Sequence, residues 1–296
     1  MRSDAAVNLG ALNGHSVGRI LKEAVRRAVT VIRAQRVSFE AHTKQGYGGT
    51  MDDVFTSADK AAQEVYLRTF TECFPGCGVI GEEDALSIPP TAPLTAYFTV
   101  DPIDGTRAFI RRQSHGISTM VALVDFDAQG RGEVISAYIG DISSDEVYGY
   151  RPGSDRVHRI TSLDSFETLH YEPPETPDLS KLDALLRDPA EQYSPATQKL
   201  LARFNDYEIM GSSLGTWAAR QWKGEVGALL LKPNFETPWD STPIIGISKK
   251  LGFVWLRPEG DAWVAYEPEL PLKPFRREHD VLMIHSTYVE NGKLKL

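Results

Sequence analysis

The segment Phe98-Thr-Val-Asp-Pro-Ile-Asp-Gly-Thr-Arg-Ala-Phe-Ile110 carries an apolar, strand-like run straight into two carboxylates three positions apart. A strand that ends in Asp101, is turned by Pro102 and Ile103 and continues into Asp104-Gly105-Thr106 can aim both carboxylates and the Ile103 carbonyl at one point. Clustered hard oxygen donors suit Mg2+, which favours carboxylates, water and phosphate oxygens. Gly105 and Thr106 open a short helical run, TRAFIRR, whose free N–H groups would face an anion. A cation site and an anion site would then be neighbours. The other reading of this stretch is a tight turn whose aspartates cap and solvate it, and D-P-x-D alone does not separate the two.

Three further segments place acids at the ends of elements. Glu82 and Glu83 follow the short apolar pair Val79-Ile80 and Gly81. Asp59 lies near the start of a helix expected to begin around Ser57. Asp240 follows Trp239 before another helix, with Asp240 or Ser241 as its cap, Pro243 in its first turn and Gly252 at its end. Each acid taken singly is explained as a cap or a solvated turn.

Taken in order, the four segments are T-x-x-D from Thr56 to Asp59, GEE from Gly81 to Glu83, DPIDGT from Asp101 to Thr106, and WDST from Trp239 to Thr242. This series resembles the inositol monophosphatase family of Mg2+-dependent, lithium-sensitive phosphomonoesterases, within the sugar-phosphatase fold that includes fructose-1,6-bisphosphatase. The resemblance implies that Glu82, Asp101 and the Ile103 carbonyl bind one metal. Asp101 would bridge to a second metal held also by Asp104 and Asp240. Two or three Mg2+ ions are implied, with Mn2+ as a substitute. Asp59, Glu82 and Thr106 would form the catalytic set, Thr106 and Asp59 polarising the attacking water. Gly105 and Thr106 would present N–H groups to the phosphate; Arg107 and Trp217, read from the residues themselves, are candidate further substrate contacts.

The chemistry agrees with that assignment. Phosphate monoester hydrolysis needs a nucleophile at neutral pH, in-line placement and neutralised charge on the leaving oxygen, all of which metal ions supply. Carboxylates alone would repel a phosphate dianion, so these acids make sense when filled with cations. The expected function is therefore hydrolysis of a small, inositol-1-phosphate-like monoester. Histidinol phosphate, fructose-1,6-bisphosphate and 3′-phosphoadenosine 5′-phosphate are alternatives, and a catalytically silent anion-binding regulatory protein is the alternative of another class.

The chain departs from the family pattern in places that concern the substrate. Thr242 and Pro243 stand where small residues are common, and Pro233 aligns with the acid that contacts the inositol ring, which Glu236 replaces only if the loop shifts. DPIDGTRAF resembles members acting on histidinol phosphate. Arg107, Arg111, Arg112 and His115 read either as anion contacts or as an exposed basic face, and Trp217 reads either as pocket lining or as core. The glycine-rich HTKQGYGGTMDD is either a plain surface loop or a lid with Lys44 reaching phosphate or a metal's water.

These residues need a scaffold. SVGRILKEAVRRAVTVIRAQ has the three-four apolar spacing of a packing helix, and strands are expected at AYFTV, GISTMVALVDF, GEVISAYI and EVYGYR. Beyond the Pro- and acid-rich SFETLHYEPPETPDLS, the pattern alternates helix (SKLDALLRD), helix (ATQKLLARF), strand (YEIMG), helix (LGTWAARQWKG), strand (VGALLLKP), helix (STPIIGISKKLG) and strand (VWLRP). The fold class expected is α+β followed by α/β, a layered αβαβα sandwich of the sugar-phosphatase type with subdomains at 1–165 and 166–296. The 296 residues carry a net charge of −8, which argues against nucleic acid or an anionic membrane as partner. Cys73 and Cys77 are too few for a disulfide framework, and no signal-peptide core interrupts the charged first helix, so a cytoplasmic protein with reduced thiols is expected. A homodimer is implied by the resemblance.

Overall fold

The computed structural model describes residues 13–127, 129–172 and 174–294; the first twelve residues of the expected N-terminal subdomain lie outside them. Helix α1 (Gly14–Gln35) starts where the Asn13 side chain accepts the Ser16 N–H, and Val17, Leu21, Ala24, Val25, Ala28, Val29 and Ile32 form its buried stripe. Helix α2 (Ser57–Cys73) starts on a reciprocal capping box between Thr56 and Asp59. The two helices pack on each other and on one face of an eight-stranded sheet. Before α2, β1 (Ala41–Lys44) and β2 (Asp53–Thr56) form a hairpin around the glycine-rich loop.

The first sheet comprises β3 (Gly78–Gly81), β4 (Ser87–Ile88), β5 (Tyr97–Asp104), β6 (Ser118–Phe126), β7 (Gly132–Asp141), β8 (Val147–Tyr150), β9 (His158–Ile160) and β10 (Phe166–Thr168). Its order is β10-β9-β8-β7-β6-β5-β3-β4, antiparallel except for the β3–β5 pair. Helix α3 (Thr106–Ile110) follows β5 directly. The second half contributes β11 (Asp183–Leu186), α4 (Pro195–Leu201), β12 (Asp206–Ile209), α5 (Leu214–Trp222), β13 (Ala228–Leu231), β14 (Asn234–Glu236), α6 (Pro238–Lys250), β15 (Phe253–Glu259), β16 (Ala262–Tyr266), β17 (Phe275–Arg277), β18 (Val281–His285), β19 (Val289–Glu290) and β20 (Lys293–Leu294). Eight of these strands form a second sheet in the order β12-β11-β13-β18-β15-β16-β20-β19, and β14 pairs with β17 apart from it.

Period-two alternation assigns the layers. On β6, Val121 and Leu123 face the core shared with α1 and α2, while Met120 and Ala122 face a central core. On β18, Val281 and Met283 face that central core, and Leu282 and Ile284 face an outer one with Leu200 and Leu201 of α4. Helices α5 and α6 occupy the central layer, touching both sheets. The result is a layered αβαβα sandwich. Among the described residues no helix is long and apolar enough to cross a membrane.

Two local expectations are corrected. SKLDALLRD opens within a 3-10 turn at Leu179–Lys181 and continues as strand β11, not as a helix. Ala184 and Leu186 face the outer core and Leu185 the central one, and parallel partners β12 and β13 on both sides satisfy a backbone whose sequence fits either period. Helix α6 begins one turn earlier than its sequence suggests, because Thr237 caps it and Pro238 takes the first helical position. Pro243 therefore lies inside the helix, and Gly252 follows its end with φ +84.

The stacking of Phe98 on Phe70, with centroids 4.0 Å apart and planes 14° apart, anchors β5 to α2. Phe98→Ala is expected to cost about 3–5 kcal/mol, read as a lowered urea midpoint with circular dichroism retained in buffer.

Candidate metal centre

The site begins with a register shift. Strand β5 pairs regularly with β6 as far as Asp101 opposite Met120, and the next pair is Asp104 opposite Ser118. Three steps on β5 match two on β6, so β5 carries one extra residue at Pro102-Ile103, where proline has no N–H for the ladder. Without the bulge, residues 101 and 104 would point to opposite faces. With it, Ile103 joins Phe98 and Val100 in the α1/α2 core while Asp101 and Asp104 both turn to the central layer.

Helices α5 and α6 meet them there. Asp104 Oδ2 accepts the Gly215 N–H at 2.8 Å, the Ser213 hydroxyl at 2.6 Å and the Ser118 hydroxyl at 3.2 Å, so the start of α5 is tied to the end of β5. Asp240 lies in the first turn of α6, its N–H donated to Thr237 Oγ1 at 3.3 Å; with Thr237 as the cap, the Asp240 carboxylate is free for other work. Donor oxygens of Asp101, Asp104 and Asp240 all lie within 4.8 Å of one another. Asp101 Oδ1 is buried and has no hydrogen-bond partner. A buried carboxylate oxygen with no donor, facing two other carboxylates, is a set that a divalent cation fits.

Parallel pairing of Gly81 with Val100 sets Glu82 beside Asp101. The Glu82 side chain is not within the three-aspartate group; it accepts from the Lys44 ammonium at 2.9 Å, as Glu83 does at 2.7 Å, with Asp53 at 3.8 Å. Gln63 clamps the Glu83 backbone, accepting its N–H at 3.0 Å and donating to its carbonyl at 2.9 Å. Asp59 is fully buried; Thr56 donates its N–H at 2.7 Å and its hydroxyl to Oδ2, leaving Oδ1 toward Thr106. Thr106 Oγ1 is 3.3 Å from that Oδ1 and 2.9 Å from the Ile103 carbonyl. Gly105 has φ +88, and a β-carbon there would come within 2.3 Å of the Gly116 carbonyl.

The acids are held above their ordinary range by burial first. Burial raises Asp104 to about 6, with Asp240 adding and the Gly215 and Ser213 donors opposing. It raises Glu82 to about 8, against the pull of Lys44, and Asp59 to about 7, against the Thr56 donors. Asp101 is driven up by burial and then by Glu82 and Asp240.

Other expected contacts lie elsewhere. Trp217, expected as a substrate contact, is corrected: it is fully buried in the central core and has no exposed surface for a substrate. Arg107 is exposed and its guanidinium donates to the Asp52 carbonyl, bracing the end of the glycine-rich loop. Tyr47 of that loop packs near Phe235 and Trp239, with centroids 5.8 and 6.4 Å away. Glu236 reaches the pocket beside Asp240 without a loop shift, but the buried Arg277 holds its carboxylate. Sequence reasoning missed Ser118, Ser213 and Gly215 as supports of Asp104, although Ser213 ahead of an apolar helix is a recognisable cap.

A family model described as the inositol monophosphatase family matches residues 14–164. The chain belongs to the inositol monophosphatase family. The Nus factor SuhB of Salmonella typhimurium strain LT2 is 28% identical over 124 residues, 42% of this chain and 43% of that protein, so the match spans less than half the length of the curated relatives. The extragenic suppressor protein suhB from Bartonella henselae superposes with TM-score 0.68 at 16% identity, covering 91% of this chain and 94% of its own. An IMPase/NADP phosphatase complexed with Mg2+ and phosphate superposes with TM-score 0.67 at 17% identity, covering 95% and 98%. At such identities the structural likeness defines the shared fold.

In chelator, Asp101→Asn is expected to relieve repulsion and raise the melting temperature at pH 8. A raised folded pKa destabilises only above the unfolded carboxylate range, so the difference should vanish toward pH 4. Millimolar Mg2+ should raise the melting temperature of the wild type and not of the variant. A variant less stable in chelator and equally responsive to Mg2+ would count against a cation site here.

Proposed function

We propose that the chain is a phosphomonoesterase that works with two or three Mg2+ ions on a small phosphate monoester. The observation that carries this reading is the convergence of Asp101, Asp104 and Asp240 around a buried carboxylate oxygen that has no donor. Asp101, Asp104, Asp240, Glu82 and the Ile103 carbonyl are the residues that would hold the ions. A bound divalent cation supplies Lewis acidity to a phosphoryl oxygen and lowers the pKa of water.

The chain's own groups do the rest. Thr106 takes a proton from the attacking water on its hydroxyl and passes its own to Asp59 Oδ1, 3.3 Å away. The Thr56 donors hold Oδ2 and so fix the direction of that transfer. Gly105 and Thr106, at the start of α3, offer N–H groups to the phosphate, a role that suits the first, unpaired amides of a helix. Residues 1–165 and 166–296 act as its two subdomains, with Asp240 brought to the site from the second. Lithium sensitivity and a homodimer, by resemblance to the family, and a cytoplasmic location, from the two reduced thiols, complete the proposal.

One observation favours a second reading, a silent anion-binding regulatory protein: the Lys44 ammonium already occupies Glu82. Phosphate release from β-glycerophosphate and inositol-1-phosphate with Mg2+ separates the two. Asp240→Asn is expected to lower kcat about 10²–10³-fold, and Thr106→Ala at least about 10²-fold, with circular dichroism unchanged. Undiminished Mg2+-dependent turnover in Asp240→Asn would remove the metal assignment, and no phosphate from any substrate with the wild type would leave the silent reading.

A further inference from the structure

Beside Asp240 opens a pocket whose charged lining is Arg187, Asp188, Lys232, Glu236 and Arg277. Most of these charges are already matched. Lys232 Nζ lies 3.0 Å from Asp188 Oδ1 and also bonds Gln192. Arg277 is 5% exposed; it bonds Glu236, the His279 carbonyl and, at 3.1 Å, the Lys232 carbonyl. Asp240 belongs to the aspartate group that a cation would fill. Arg187 is exposed and lines the same pocket, and among the described residues its guanidinium has no ion pair or hydrogen bond, because both nearby acids are taken.

The root of Arg187 is rigid. Its N–H donates to the Tyr193 hydroxyl at 3.2 Å, and that hydroxyl donates to the Leu230 carbonyl at 2.9 Å. The bond ties the carboxyl end of β11 to that of its parallel neighbour β13, the end of an open α/β sheet at which ligands bind. The positive field of Arg187 reaches Asp104, so the guanidinium stands near the reacting centre without entering it. A planar donor fork, always charged and left without a counter-ion, is suited to a phosphate or carboxylate.

We propose that Arg187 captures a second anionic group of the substrate, so that the preferred substrates are small phosphate monoesters carrying another phosphate or a carboxylate. The inference rests on the phosphatase reading and narrows it. A neutral polyol phosphate leaves Arg187 unmatched, and an amino-alcohol phosphate such as histidinol phosphate brings an ammonium toward a guanidinium.

The test compares fructose-1,6-bisphosphate, 3-phosphoglycerate and 3′-phosphoadenosine 5′-phosphate with β-glycerophosphate as the single-anion reference. The ratio of kcat/KM on the best two-anion substrate to that on the reference should fall at least about tenfold in Arg187→Ala and further in Arg187→Glu. Lys199→Ala, the same charge loss at a distant exposed pair, should leave the ratio unchanged. Loss of the ratio on the bisphosphates alone, or on the phosphocarboxylate alone, identifies the second anion. A calorimetric titration of the same compounds into Ca2+-loaded protein reads the same ratio as dissociation constants, so the role of Arg187 is decided even if no substrate is hydrolysed. Equal losses on one-anion and two-anion compounds, or a wild type with no preference for two anions in either assay, would overturn the proposal.

Discussion

The constraint on which this molecule turns is the repulsion among carboxylates that the fold has taken out of water. Asp101, Asp104 and Asp240 share a space where burial raises the cost of ionising Asp101 and Asp104, and the Asp240 carboxylate adds to it. A protein selected only for stability would place apolar groups there. Keeping the acids is sensible if a cation offsets them, and their surroundings show how the arrangement is tolerated meanwhile. Donors from α5 hold one oxygen of Asp104, Thr56 holds one oxygen of Asp59, and the Lys44 ammonium holds Glu82 and Glu83. One oxygen of Asp104 and one of Asp59 are steadied, and the other of each is left for chemistry.

The layering follows from this need. The acids of β5 come from the first sheet, Asp240 and the Ser213 and Gly215 supports of Asp104 from helices threaded by the second, and the central layer of α5 and α6 is where the two sets meet. Trp217 and Trp222, fully buried on α5, fill the space between the sheets and hold that layer at a fixed depth. Their size serves position: the site depends on two helix starts arriving at the end of one strand.

The legible part of the sequence was local. Thr56 to Asp59 could be read as a helix start because both halves of a capping box lie within four residues, and DPIDGT carries its own turn chemistry. The grouping of Asp240 with Asp101 and Asp104 was legible through the ordered series of motifs, not through any spacing along the chain. What escaped depended on partners distant in sequence. DALL became a strand because β12 and β13 flank it, and Trp217 sank into the core because two sheets close over α5. Helix α6 starts three residues before the cap expected at Asp240 because Thr237-Pro238 supplies a good cap and first position.

The extra residue in β5 has a consequence best put as parity. Side chains on a strand alternate, so whether two acids share a side depends on whether the count between them is odd or even. Here the count is odd, and a slip of half a period at Pro102-Ile103 converts it. The carboxylates are thus secured by a length rather than by a particular neighbour. Exchanging Pro102 or Ile103 for another residue alters local packing, whereas pairing all three steps regularly, without the bulge, would turn Asp104 into the apolar layer under α1 and α2, so the odd spacing and the extra residue belong together.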